Sequence, residues 1–150
     1  MQTSQRAIEL LKDIEKVRYA AYLDSGGVPT IGVGHTRGVK LGDLIDDAQV
    51  NAFLHEDLKG AERDVEQYVR VLLSQQEFDA LVLFVFNIGG PQFATSTMLT
   101  LLNRGNRAGA AAQFARWKYD NGRVMGGLVR RRLSEHDVFL HGVYFYDAAH

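Results

Sequence analysis

The stretch Glu15-Lys-Val-Arg-Tyr-Ala-Ala-Tyr-Leu-Asp24-Ser-Gly-Gly-Val-Pro-Thr30-Ile-Gly-Val-Gly-His35 is where the periodicity of the chain changes. Before it, Ala7, Ile8, Leu11 and Ile14 recur at helical spacing behind the capping candidates Thr3 and Ser4, which predicts a helix over about 4–15. Within it, Arg18-Tyr-Ala-Ala-Tyr-Leu and Pro29-Thr-Ile-Gly-Val-Gly-His flank Asp24-Ser-Gly-Gly, turn chemistry between two short strands. Six of the 15 glycines fall between Gly26 and Gly42. This is the only sheet signal the sequence gives, and everything after it reads as helix. Asp46-Asp-Ala-Gln and Ser74-Gln-Gln-Glu are capping boxes; the first opens a helix running with interruptions to about Leu73. The second precedes Phe78, Leu81, Val82, Val85 and Phe86 at helical spacing, ended by Asn87-Ile-Gly-Gly-Pro. Further helices are predicted over about 96–102, 107–118 and 128–141. The fold class is α+β: a helix, a small hairpin lobe over about 17–42, and a helical lobe over about 43–150 that the first helix joins.

The chain has 150 residues, 46% hydrophobic and 23% charged, the composition of one globular domain with a core of its own. With no Cys, disulfides, thiolate metal sites and cysteine nucleophiles are excluded. No apolar stretch reaches membrane-spanning or signal length, and the longest such run, Ala80 to Ile88, suits a buried helix. Net charge is −1, but Asp43 to Glu66 has a local balance of −6 and Arg104 to Arg132 one of +7. The basic third suits either a polyanion or solvated helix faces. Its arginines are not interleaved with stacking aromatics, which argues against nucleic acid.

Glu15 lies at the predicted end of the first helix and Asp24 at the hairpin tip. Nine residues span up to about 30 Å when extended, so the two carboxylates meet only if the hairpin folds back. If it does, unlike surroundings would separate an acid from a base. Taken alone, Asp24 also reads as a turn former, Glu15 as a solvated helix end and Thr30 as an ordinary strand residue. His35, His55, His136, His141 and His150 fall at no metal-ligand spacing, so neither a metal nor a cofactor is expected. His35 at the strand end needs a partner, and Asp57 is the expected one.

The arrangement Glu15-x8-Asp24-x5-Thr30, followed by Ile31-Gly-Val-Gly-His35, resembles the phage-type lysozymes of glycoside hydrolase family 24. Four later blocks stand in the same order as in that family: Gln76-Glu-Phe-Asp-Ala-Leu-Val to Phe86-Asn-Ile-Gly, Phe93-Ala-Thr-Ser-Thr, Phe114-Ala-Arg-Trp, and Gly127-Leu-Val-Arg-Arg-Arg-Leu-Ser-Glu135. The resemblance implies a lysozyme-like fold with the active-site cleft between the two lobes. It implies Glu15 as the catalytic acid, Asp24 as the carboxylate that activates or orients water, and Thr30 as the hydroxyl that holds that water. It also implies a cleft touched by Thr36, Phe86, Asn87 and Ser96, although Phe86 also reads as a core residue and Ser96 as a helix cap, with Trp117 in core packing and one arginine of Arg130 to Arg132 near Glu15, the others pointing outward. Two positions depart from the family pattern: Lys16 where Gly is usual, and Met125-Gly-Gly where Pro is common before Gly-Leu.

The activity so implied is hydrolysis of the β-1,4 bond between N-acetylmuramic acid and N-acetylglucosamine in peptidoglycan, with inversion and with the carboxyl groups about 6.5–9.5 Å apart to admit a water. The implied setting is phage lysis by a monomer that stays in the host cytoplasm until a separate holin opens the way to the cell wall. A lytic transglycosylase forming 1,6-anhydro products and a catalytically impaired wall-binding module are the alternatives. Retention of Asp24 and Thr30 favours water as the nucleophile.

Overall fold

The computed structural model of the chain describes residues 1–148; Ala149 and His150, the last two residues of the helical-lobe reading, lie outside the described residues. Helix α1 (Gln5–Glu15) is capped by Ser4, whose hydroxyl accepts from the Ala7 amide, and it buries Ala7, Ile8, Leu10 and Leu11. Strands β1 (Arg18–Leu23) and β2 (Pro29–Gly32) pair antiparallel, with Tyr22 opposite Thr30 and a register shift between Arg18 and Tyr22. The sequence reading carries the second strand to His35, but it ends at Gly32. Gly32 and Gly34 take positive φ of 66° and 71°, so the chain folds over and Ile31 and His35 exchange backbone hydrogen bonds of 2.9 and 3.0 Å. The segment after the hairpin returns along β1, where the Ala21 and Ile45 amides bond to Asp43 and Tyr19 carbonyls.

Both capping boxes form, at Asp46 with Gln49 and at Ser74 with Glu77. The helix they were expected to bracket first is two helices, α2 (Asp47–Asp57) and α3 (Lys59–Tyr68), broken at Leu58. It stops before Leu73 because Asn103 takes over its end: the Arg70 amide donates to Asn103 Oδ1 at 2.8 Å and Asn103 Nδ2 donates to the Tyr68 carbonyl at 2.9 Å.

Helix α4 (Gln75–Ile88) is the axis of the molecule, with every residue from Glu77 to Val85 buried. A helix enclosed on all faces needs neighbours on all sides, and α1, α3 and α8 pack around it. Its buried Asp79 accepts from the Ser4 amide at 3.0 Å, Gln75 Nε2 at 2.9 Å and the Tyr144 hydroxyl at 2.6 Å, tying both ends of the chain to the centre. The Gly89-Gly-Pro break ends α4 at Ile88 as expected, with Gly89 at a φ of 92°, and a short helix the sequence reading did not include, α5 (Gly90–Ala94), follows at once. A Cβ on Gly90 would lie 2.3 Å from an Asp64 carboxylate oxygen, so the Asp64 side chain occupies the space that the missing side chain leaves between α3 and α5.

Helices α6 (Thr97–Asn103) and α7 (Arg107–Ala112) follow, then a 3-10 turn over Phe114–Arg116. The expected helix to Lys118 gives way here to a second hairpin, β3 (Tyr119–Asp120) with β4 (Arg123–Val124), so the first hairpin is not the only sheet. Its turn is Asn121-Gly122, both at positive φ, the type of pair that closes two-residue hairpins. Helix α8 (Gly126–His141) closes the fold beside α4 and ends at left-handed Gly142.

Candidate active site

Glu15 is the last residue of α1, and its side chain is 36% exposed. Arg131 Nη1 donates to its Oε1, leaving Oε2 without a protein partner among the described residues. Arg131 is itself only 4% exposed and is fixed at two further points: Nη2 donates to the Leu83 carbonyl at 2.9 Å and Nε to Glu135 Oε2 at 3.1 Å. The acid is thus aimed by a guanidinium that the core holds still.

Asp24 sits at the tip of the β1–β2 hairpin. Its Oδ1 accepts from the Gly26 and Val28 amides, both at 2.8 Å, which accounts for the turn-forming reading. Oδ2 has no partner among the described residues and remains to accept from a ligand or water. Thr30 is buried and donates its hydroxyl proton to the Val28 carbonyl at 2.8 Å. With its one proton so directed, the Thr30 oxygen can meet a water only as an acceptor.

A cleft of about 720 Å³ runs along the helical lobe. Glu15 and Asn87 line it together, with Ile14, Ile88 and Gln92 beside them and Arg131 and Arg132 at its base. Trp117, expected in packing alone, has two roles: it meets Phe84 edge-on at 5.5 Å and also lines the cleft. Arg116, Tyr119 and Asp120 form a further wall that the sequence reading missed. The signal for it was Asn121-Gly122, which turns Tyr119 and Asp120 back over the cleft.

The other expected contacts lie elsewhere. Thr36 is exposed beyond β2, outside the cleft lining. Phe86 packs against the core from α4, and it too is outside the lining. Ser96 is buried and committed, accepting from the Leu99 amide at 3.1 Å and donating to the Phe93 carbonyl at 2.7 Å, so it caps α6 and has no proton to offer a sugar. Asp24 and Thr30 stand on the hairpin lobe and are not part of the cleft lining.

The arginine run differs from expectation in one respect. Arg131 is the residue on Glu15, but Arg132 also points inward, with Nη2 donating to Asn87 Oδ1 at 2.7 Å and the guanidinium 5.0 Å over the Phe84 ring. Glu135 is completely buried between the two. Arg132 Nε lies 2.8 Å from Glu135 Oε1, a charge contact too oblique for a hydrogen bond. Burial pushes the Glu135 carboxyl upward against the pull of Arg132 and Arg131, and burial pushes Arg132 downward. Because guanidinium groups keep their protons in proteins, Glu135 stands as their buried counter-charge.

His35 pairs with Asp57 as expected. Its Nδ1 lies 2.8 Å from Asp57 Oδ2, its Nε2 lies 3.0 Å from the Arg37 carbonyl, and the ring stacks on Phe53 at 3.9 Å. The pair fastens the hairpin lobe to α2. Among the described residues no three His, Asp or Glu side chains assemble in a way that could hold a metal ion.

Comparison with known proteins gives one consistent result. The sequence model of the family described as phage lysozyme matches residues 12–135. The endolysin of Salmonella phage P22 is 42% identical over 145 residues, covering 93% of this chain and 99% of that protein. The endolysin of Acyrthosiphon pisum secondary endosymbiont phage 1 is 38% identical over 143 residues, covering 93% and 98%. Among solved structures, an endolysin from Escherichia coli O157:H7 phage FAHEc1 superposes with a TM-score of 0.88 at 35% identity, covering 96% of each chain.

Proposed function

Since the chain belongs to the phage lysozyme family and is a glycoside hydrolase acting on peptidoglycan, we propose that Glu15, Asp24 and Thr30 divide the chemistry among them. The observation that carries this reading is the half-exposed Glu15 carboxyl, pinned in the cleft wall by buried Arg131.

Cleaving the β-1,4 bond requires a proton on the leaving oxygen while positive charge builds on the anomeric centre. Glu15 gives its proton to the glycosidic oxygen, and the bond from that oxygen to the muramic acid anomeric carbon breaks. A water forms the new bond to that carbon from the opposite face and passes a proton to Asp24 Oδ2. Thr30 accepts the water's other O–H and so points a lone pair at the carbon. Proton return from Asp24 to Glu15 through solvent completes the cycle, and the product is inverted and reducing. Asn87 has Oδ1 taken by Arg132, which leaves Nδ2 with two donors for an N-acetyl carbonyl or sugar hydroxyl in the cleft.

Replacing Glu15 with Gln keeps the shape and removes the proton. Purified peptidoglycan should yield reducing muramic ends with the wild type and none with the variant. 1,6-Anhydro ends from the wild type would move the reaction to transglycosylation.

The setting rests on the endolysin relatives. We place the protein as a monomer in the host cytoplasm until a holin gives it access to the wall. No helix of the described residues is long and apolar enough to cross a membrane. Expression in a bacterial host with and without a holin tests this: lysis only with the holin is expected, and lysis without it overturns the assignment.

A further inference from the structure

Glu135 touches neither the cleft nor, on the reading above, the sugar, yet it lies at the junction of everything that does. Arg131 and Arg132 stand four and three residues before it on α8, so all three share one helix face. Glu135 Oε2 accepts from Arg131 Nε at 3.1 Å and from Arg132 Nη2 at 3.3 Å. The far side of Arg131 reaches Glu15, and Arg132 reaches Asn87. A single fully buried carboxylate therefore anchors both the cation that aims the acid and the cation that orients the amide.

The proposed chemistry gives this arrangement a purpose. Buried guanidinium groups need counter-charge, because an unpaired charge in the interior is costly. Glu15 provides some while ionised, but it must be protonated to donate to the leaving oxygen. At that moment Glu135 is the only carboxylate in contact with the two arginines among the described residues. Resting on the assignment of Glu15 as the acid, we propose that Glu135 is a positioning residue: it compensates Arg131 and Arg132 so that Glu15 can hold a proton beside a cation, and it keeps Asn87 set for the sugar. The charged and titratable groups that share the cleft lining with Glu15 are Arg131 and Arg132 from α8, Arg116 from the 3-10 turn, Tyr119 and Asp120 from β3 and Tyr146 from the carboxy-terminal segment, with Glu135 buried behind the two arginines and Lys16 next in the chain.

The test uses the whole chain and compares Glu135→Gln, which keeps size and loses charge, with Glu135→Asp, which keeps charge. Activity on purified peptidoglycan is followed from pH 4 to 9, with thermal unfolding as the check on folding. With the charge gone, Arg131 favours the ionised form of Glu15 more strongly, and the alkaline limb of the kcat profile should move about one pH unit toward acid. KM should rise with it as Asn87 loses its setting, and the Asp variant should restore most of the limb. If Glu135→Gln does not fold, the double variant Arg132→Met with Glu135→Met replaces the buried pair with apolar residues of similar size, a change that cores tolerate. It removes a cation as well as the carboxylate, so the limb should move in the same direction but less far, while KM rises because Asn87 loses Arg132. A folded variant of either kind with the wild-type limb and KM overturns the proposal and leaves Glu135 as packing. Glu15→Gln is run alongside: if it keeps activity, the assignment of the acid has failed, and that result is separate from anything Glu135 does.

Discussion

Lys16, the residue directly after the proposed acid, should give a more stable protein when replaced by Gly. It closes α1 at φ 68° and ψ 152°, with its amide bonded to the Lys12 carbonyl at 2.9 Å. That corner of backbone space is essentially open to glycine alone, and holding another residue there costs on the order of 1–3 kcal/mol. Glycine gives back part of the gain through a freer unfolded chain, about 0.4–1 kcal/mol. The balance is near 1 kcal/mol in favour of Lys16→Gly, and for a chain of this length that raises the melting temperature by roughly 2–4 °C. Thermal unfolding by circular dichroism at neutral pH measures it. Lys16→Ala is the control, since it removes the charge and the long side chain but keeps the Cβ responsible for the cost. If Ala raises the melting temperature as much as Gly, or Gly lowers it, the backbone argument is refuted. Lytic activity should survive Lys16→Gly, because Glu15 is aimed by Arg131 and Lys16 is exposed.

Three further outcomes follow from particular contacts. Gly90→Ala should cost about 1–3 kcal/mol, since the new methyl meets the Asp64 carboxylate at 2.3 Å; a melting temperature equal to wild type would show that the Asp64 side chain or the helices give way without cost. The Tyr144 hydroxyl is raised above its usual range by burial and then by the hydrogen bond to Asp79. A raised folded value means that its contribution is fully present below about pH 10 and lost as pH climbs higher. Melting temperature should therefore fall between pH 10 and 12, and Tyr144→Phe should start lower and fall less steeply; parallel curves would contradict the assignment. Thr30→Val should lower kcat by about 10²-fold or more with KM little changed, whereas an unaffected kcat would remove Thr30 from the water site.

What the sequence made legible is what local chemistry controls. Asp46 with Gln49 and Ser74 with Glu77 form the capping boxes read from their spacing because a cap is settled within four residues. The Asp24-Ser-Gly-Gly turn and the alternation around it were sufficient for the first hairpin. Long-range contacts set the rest. Asp79 follows a capping box and reads as one more solvated helix residue, yet it is buried by partners at Ser4 and Tyr144, at opposite ends of the chain. Arg132 and Glu135 look like a charged helix face, and only the packing of α8 against α4 turns that face inward. Ser96 and Phe86 could each be read two ways, as sugar contacts by resemblance or as a helix cap and a core residue by type, and packing decides for the cap and the core. Lys16 shows the converse: standing where Gly is usual, it was already legible as a backbone constraint, and the structure locates that constraint in a φ of 68°.

The central claim is that Glu15 supplies the proton for a hydrolytic cleavage in the cleft it shares with Asn87. Mass spectrometry of peptidoglycan digested by wild type and by folded Glu15→Gln, before and after borohydride reduction, tests it most directly. The account predicts borohydride-reducible muramic ends from the wild type alone. The same reducible ends from Glu15→Gln, or 1,6-anhydro ends from the wild type, would contradict it.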